Sequence, residues 1–195
     1  ISVMIAVSAI VAFLTTLFMG SLSDKINKRK IFICGGYILW GLTVIAFAVI
    51  NPEFIAKIMG TSVGAAVSAT VTLVIIMDGL MTFMGSTSND AAFNAWVTDI
   101  TTSKNRATAE SVLSILPIVA TVVVVILGGM IESLGGYSNF FFVLGGFVIF
   151  CGIVGLFTLK DSRNGERNPN ANYWKDLIYG FKPSVIKENS KLYIS

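Results

Sequence analysis

Long apolar runs broken by short charged stretches organise this chain. Four runs, at about 1–19, 31–50, 107–131 and 140–159, carry Glu110 as their one charge. A bilayer core about 30 Å thick takes roughly 20 apolar residues per helix, so each run predicts one crossing. The stretch from Pro52 to Thr98 is too long for one crossing and just long enough for two. Charge asymmetry decides. With one crossing, the stretches 24–30, 99–106 and 160 onward share a side and hold every Lys and Arg except Lys57, as the positive-inside rule expects. With two, the second and third stretches would move across. One crossing at about 69–97 follows, with 51–66 outside as an Asn-Pro turn and a surface or helix-extending segment. The fold class is an all-α membrane protein, a helical bundle of about five transmembrane helices.

After Lys160 the pattern changes to a polar stretch over 161–170. Tyr173, Trp174, Leu177, Ile178 and Phe181 then form one apolar stripe, with Lys175, Asp176 and Lys182 off it. Aromatics beside Lys on a short amphipathic helix suit the cytoplasmic membrane interface; a helix packed on a soluble partner is the alternative. The chain begins at once on an apolar run, without the basic flank and cleavage site of a signal peptide. It ends as apolar character returns, so a piece of a longer protein is expected.

Composition agrees with a membrane protein. The chain is 54% hydrophobic and 13% charged with mean hydropathy +0.79, against about 25% charged residues in a soluble domain. Cys34 and Cys151 each sit in an apolar run with no third ligand nearby, which favours packing over a disulfide framework or metal cage. The absence of His removes the commonest general base and metal ligand. No enzyme, cofactor, metal site or nucleic-acid partner is expected.

The stretch Gly20-Ser21-Leu22-Ser23-Asp24-Lys25-Ile26-Asn27-Lys28-Arg29-Lys30 is clamped between two apolar runs. It resembles the loop between the second and third helices of the major facilitator superfamily, whose pattern G-x-x-x-D-R/K-x-G-x-R/K-R/K is met at Gly20, Asp24, Lys25, Arg29 and Lys30. Asn27 stands at the inner glycine, and Asn tolerates left-handed backbone angles better than other non-Gly residues. A generic positive-inside loop is the plainer reading. The resemblance implies a secondary transporter of the cytoplasmic (inner) membrane, with residues 1–160 forming helices two to six of its amino-terminal half. Residues 161–195 would be the cytoplasmic linker, with its amphipathic helix, leading to a seventh helix and a carboxy-terminal half. It further implies a cytoplasmic latch in which Asp24 caps a helix end and Arg29 pairs with Asp99, beside Lys104 and Arg106.

Carboxylates inside hydrocarbon are costly, by about 2.5–3.5 kcal/mol on insertion scales, and so are functional candidates. Asp78 and Asp90 both fall on the fourth family helix. Thr82, Ser86, Asp90 and Asn94 recur every four residues with Asn89 beside them, a polar stripe that wants water or protein rather than lipid. The expectation is a substrate and cation pathway lining a central cavity. Asp90 has polar neighbours, and a carboxylate removed from water holds its proton more tightly, which opens a proton-binding role; bonding between helices is the alternative. Asp78 sits among apolar residues, about a third of a turn away from Asp90, where a structural role is favoured.

Asp90-Ala91-Ala92-Phe93, Thr98-Asp99-Ile100-Thr101 and Asn105-Arg106 are also similar to a segment of the glycoside-pentoside-hexuronide cation symporters. That likeness implies that Asp90 helps bind the coupling cation and that the solute is a sugar or glycoside. Those symporters carry further acids on the second helix, and 14–20 has none. One carboxylate with Thr and Asn oxygens is a thin sodium site, so proton coupling, or none, stays open. The Arg and Gly-Pro motif of the superfamily's drug antiporters are missing from the fourth and fifth helices. Pro117 would kink or loosen the fifth by removing a backbone donor, with packing alone as the equal alternative. Glycines 145 to 155 read as packing, and Trp40 and Trp96 as interfacial or packing residues that could stack on a sugar ring. The function expected is alternating-access transport of a small solute; a channel, a structural membrane subunit and, more remotely, a membrane-embedded enzyme are the competing classes.

Overall fold

The computed structural model describes residues 2–26, 28–131, 133, 135–161, 182, 185 and 186. The stripe expected at 173–181, most of the linker, and the turn at Asn27 lie outside them. In chain order the elements are α1 (Ser2–Ile26), α2 (Arg29–Ala46), α3 (Pro52–Met59), α4 (Val63–Gly85), a π-helical segment (Ser86–Phe93), α5 (Asn94–Ile100), α6 (Arg106–Gly129) and α7 (Tyr137–Thr158). α4, the π segment and α5 form one rod of 38 residues. Together with α1, α2, α6 and α7 it gives, among the described residues, five helices long and apolar enough to cross a membrane. A single long helix therefore occupies the stretch that charge asymmetry assigned to one crossing. At 1.5 Å per residue the rod is about 57 Å long, so its ends stand beyond the hydrocarbon.

The charged stretch read as a loop is helical through Ile26, and only residues 27 and 28 connect α1 to α2. Two features hold the helix there. Arg29 at the start of α2 bonds Ser23 Oγ and pairs with Asp24 in the last turns of α1, and Lys25 in the last turn faces the negative end of the helix dipole. At the other end of the bundle, the stretch expected as an Asn-Pro turn and a surface or helix-extending segment is a capped helix. The Asn51 side chain accepts from the Phe54 amide at 2.8 Å, Pro52 takes the first position, and Gly60 ends the helix at φ 64°. Ile55 and Ala56 then bury against Ala66, Ala69 and Leu73 on α4.

The tightest seam joins α2 to α7, and glycine makes it possible. A Cβ on Gly41 would lie 2.7 Å from the Gly145 carbonyl, and one on Gly145 would lie 2.7 Å from the Gly41 carbonyl. Gly152 packs on the Cys34 carbonyl in the same way, at 3.1 Å. Backbone atoms of the facing helix, beside the Ile149, Ile45 and Ile38 side chains, would meet an added carbon, so the seam leaves little room for a side chain. Gly145→Leu is expected to cost about 1–3 kcal/mol or more by overpacking, read as a lowered thermal unfolding midpoint in detergent. Gly146→Leu, where nothing lies within 4 Å of the added carbon, should leave the midpoint unchanged. Gly145, Gly152 and Gly155 thus serve packing, as the sequence indicated. α6 stands apart, with no buried residue, and runs unbroken through Pro117.

Candidate functional site

Gly85-Ser86-Thr87-Ser88-Asn89-Asp90 is where the long rod changes register. The Asn94 amide reaches back to the Asn89 carbonyl, five residues earlier rather than four, the π pattern that recurs at functional sites. Membrane helices must satisfy backbone groups internally, and small polar side chains do so here. The Thr87 hydroxyl donates to the Phe83 carbonyl at 2.7 Å, and Ser88 to those of Met84 and Gly85 at 3.0 and 3.2 Å. Close approach by α2 pins the segment: a Cβ on Gly36 would lie 2.6 Å from the Ser88 Cβ, and one on Gly85 would lie 3.2 Å from the Trp40 ring. Trp40 is thereby a packing residue.

Asp90 lies inside this segment. Its carboxylate accepts from the Asn89 amide at 3.0 Å, and the Asn89 side-chain oxygen accepts from the Tyr37 hydroxyl of α2 at 3.3 Å. Asn94 donates to the Asp90 backbone carbonyl at 3.2 Å, not to the carboxylate. Asn89, Asp90 and Asn94 are exposed, Thr82 is half-buried and Ser86 is buried. Of the expected stripe, Asn89, Asp90 and Asn94 are the exposed members, and Tyr37 joins them from a neighbouring helix. Nothing in the linear pattern pointed to Tyr37.

Asp78 belongs elsewhere. It is about 18 Å from Asp90 along the helix axis, and its carboxylate accepts from the Ser8 hydroxyl of α1. Ser8 also donates to its own helix at the Met4 carbonyl, 2.9 Å away. This pair ties α1 to α4 within the membrane-spanning region, a structural arrangement. Ser8→Ala should destabilise by about 1–3 kcal/mol, because it strands a carboxylate, whereas the double change with Asp78→Leu should recover most of that loss. Thermal unfolding and transport assays check it together: retained transport in the double variant removes Asp78 from the solute pathway, and lost transport restores it.

At the charged end Arg29 is the hub. It is 9% exposed; its Nε donates to Asp99 Oδ2 at 3.1 Å, and the adjacent guanidinium nitrogen reaches Ser23 Oγ at 2.6 Å and the Asp24 carboxylate. One planar fork thus joins the end of α1, the start of α2 and the end of α5, which suits Arg and not Lys. Asp24 caps no helix: it sits in the last turn of α1 and pairs with Arg29. The acid at the start of α2 is Asp161, which accepts from the Lys30 amide at 2.8 Å. Arg106 lies apart from this hub and holds the end of α5, donating to the Thr98 carbonyl at 2.9 Å and to Thr101 Oγ1 at 3.2 Å. Gly20 is helical with open space beside it. Trp96 donates to the Lys160 carbonyl at 2.9 Å and stacks on Phe93, which joins the rod to the end of α7 and leaves the ring to packing.

Cys34 is buried and Cys151 exposed, both free thiols. No group of three or more His, Cys, Asp or Glu able to hold a metal ion occurs among the described residues. The carboxylate, two carboxamides and a phenol around Asp90 can exchange a proton and hydrogen-bond a polar solute.

The family model of the Major Facilitator Superfamily matches residues 1–185. The chain is also similar to the Tetracycline resistance protein, class C, of Escherichia coli, 25% identical over 170 residues covering 86% of this chain and 37% of that protein. It therefore spans little more than a third of that relative's length. No solved structure matches it.

Proposed function

We propose, since this chain belongs to the Major Facilitator Superfamily, that it is part of a secondary transporter that moves a small solute across the cytoplasmic membrane by alternating access. Residues 1–160 act as helices two to six of an amino-terminal half, and 161–195 as the linker to the other half. The observation that carries the reading is the exposed carboxylate of Asp90 on a π-helical segment inside a membrane-spanning rod. An ionisable group in such a position is a functional site by default.

Asp90 takes up the coupling proton, with the Asn89 amide steering its carboxylate, and Asn89 and Asn94 meet hydroxyl groups of the solute. A sugar or glycoside fits this donor and acceptor set. One carboxylate and few oxygens suit a proton better than sodium. Movement of the π segment is carried along the rod to Asp99, so that occupancy near Asp90 biases the Arg29 latch on the side of the basic stretches. The other half of the same protein completes the site. The tetracycline-resistance relative favours a second reading, in which the solute is a larger drug-like molecule. Uptake by the full-length protein in proteoliposomes tests both: proton-driven, saturable accumulation of sugars supports the first, and of tetracycline the second. Flux that never saturates would remove the carrier reading altogether.

A further inference from the structure

We propose that the groove between α2, α7 and the π segment is a binding site for an anionic phospholipid. A cavity of about 380 Å³, open along one side, runs from Tyr37 and Phe150 to Thr158 and Leu159 at the end of α7, with Phe93 as one wall. That volume falls in the range of ligand-binding cavities. Its lining is almost wholly apolar. Depth comes from the glycine seam: at Gly155 a Cβ would lie 3.0 Å from Cys34 Sγ, so any larger residue there would fill the floor. Phe150 and Val154, 61% and 39% exposed, stand at the opening. Because α2 and α7 are long and apolar enough to cross a bilayer, the apolar molecule at hand to fill such a groove is an acyl chain.

The polar end selects the headgroup. Lys30, Ile33, Cys34 and Tyr37 recur at i, i+3, i+4 and i+7, so Lys30 continues the groove face of α2 to its end, while Lys160 follows Leu159 on the other wall. Neither lysine makes an ion pair among the described residues. The nearby Asp161 carboxylate is engaged with the Lys30 amide. Two lysines that end the two walls of an apolar groove, against the one carboxylate of Asp161, leave this end net positive and match a lipid phosphate above its acyl chain, and each lysine near an anionic lipid is worth about fivefold in affinity.

The test uses the full-length protein in phosphatidylcholine nanodiscs containing a trace of phosphatidylglycerol or phosphatidylcholine with a photoactivatable group on its acyl chain. The phosphatidylglycerol probe is expected to label residues 33–37 and 150–159 at least about fivefold more than the phosphatidylcholine probe. Lys30→Gln with Lys160→Gln should bring the two to the same level. Val154→Trp, which fills the groove and leaves both lysines, should reduce labelling by both probes. Equal labelling by the two probes in the unmodified protein, or a preference that survives loss of both lysines, overturns the proposal. So does an unlabelled groove, the result if another helix of the protein or a small apolar molecule occupies it.

Discussion

Replacing Arg29 by Ala should lower the stability of the protein by about 3 kcal/mol and, if this end acts as the proposed latch, open a leak there. The side chain is nearly buried and serves Ser23, Asp24 and Asp99 at once. Removing one partner of a buried pair costs about 3–5 kcal/mol because the charge left behind is unpaired. The lower end applies here, since the Asp24 and Asp99 side chains keep 63% and 25% exposure and are partly resolvated. Arg29→Lys keeps the charge and loses the fork, so it should fall between the two. The double change with Asp99→Asn should recover part of the loss, since it removes the most enclosed stranded carboxylate. Thermal unfolding and passive solute leakage from proteoliposomes measure the two effects; an unchanged midpoint in Arg29→Ala would mean that the hub contributes nothing to the fold.

The five crossings were legible because hydrocarbon thickness and the placement of Lys and Arg constrain a sequence strongly. Arg29–Asp99 was legible as well, from the resemblance carried by the residues around Gly20. What stayed hidden has physical causes. Charged residues read as loop, yet Gly20–Ile26 is helix, because Arg29 ties down Ser23 and Asp24 from the next helix and Lys25 suits a helix end. The π register was invisible to a search that assumes 3.6 residues per turn, although the small polar run from Gly85 to Asp90 was its signal. Ser8, Tyr37 and Asp161 were missed since their partners lie far along the chain, and pairing across helices leaves no trace in local spacing. For Asp78, whose apolar neighbours already favoured a structural role, the same gap hid Ser8 as its partner.

Asp90→Asn should abolish accumulation of solute against its gradient and leave exchange of internal for external solute intact. Asparagine preserves shape and hydrogen bonding to Asn89 but cannot take up a proton at neutral pH, so only the coupled step is lost. Tyr37→Phe removes the hydroxyl that holds Asn89 and should weaken accumulation without abolishing it, because the carboxylate itself remains. The two variants separate the group proposed to carry the proton from the one that positions its neighbour.

The most direct measurement is solute uptake by proteoliposomes holding the full-length protein, driven by an imposed pH gradient, with Asp90→Asn compared side by side. Saturable accumulation is expected in the unmodified protein and should collapse in Asp90→Asn while exchange persists. Equal accumulation by the two proteins would contradict a proton-binding role for Asp90.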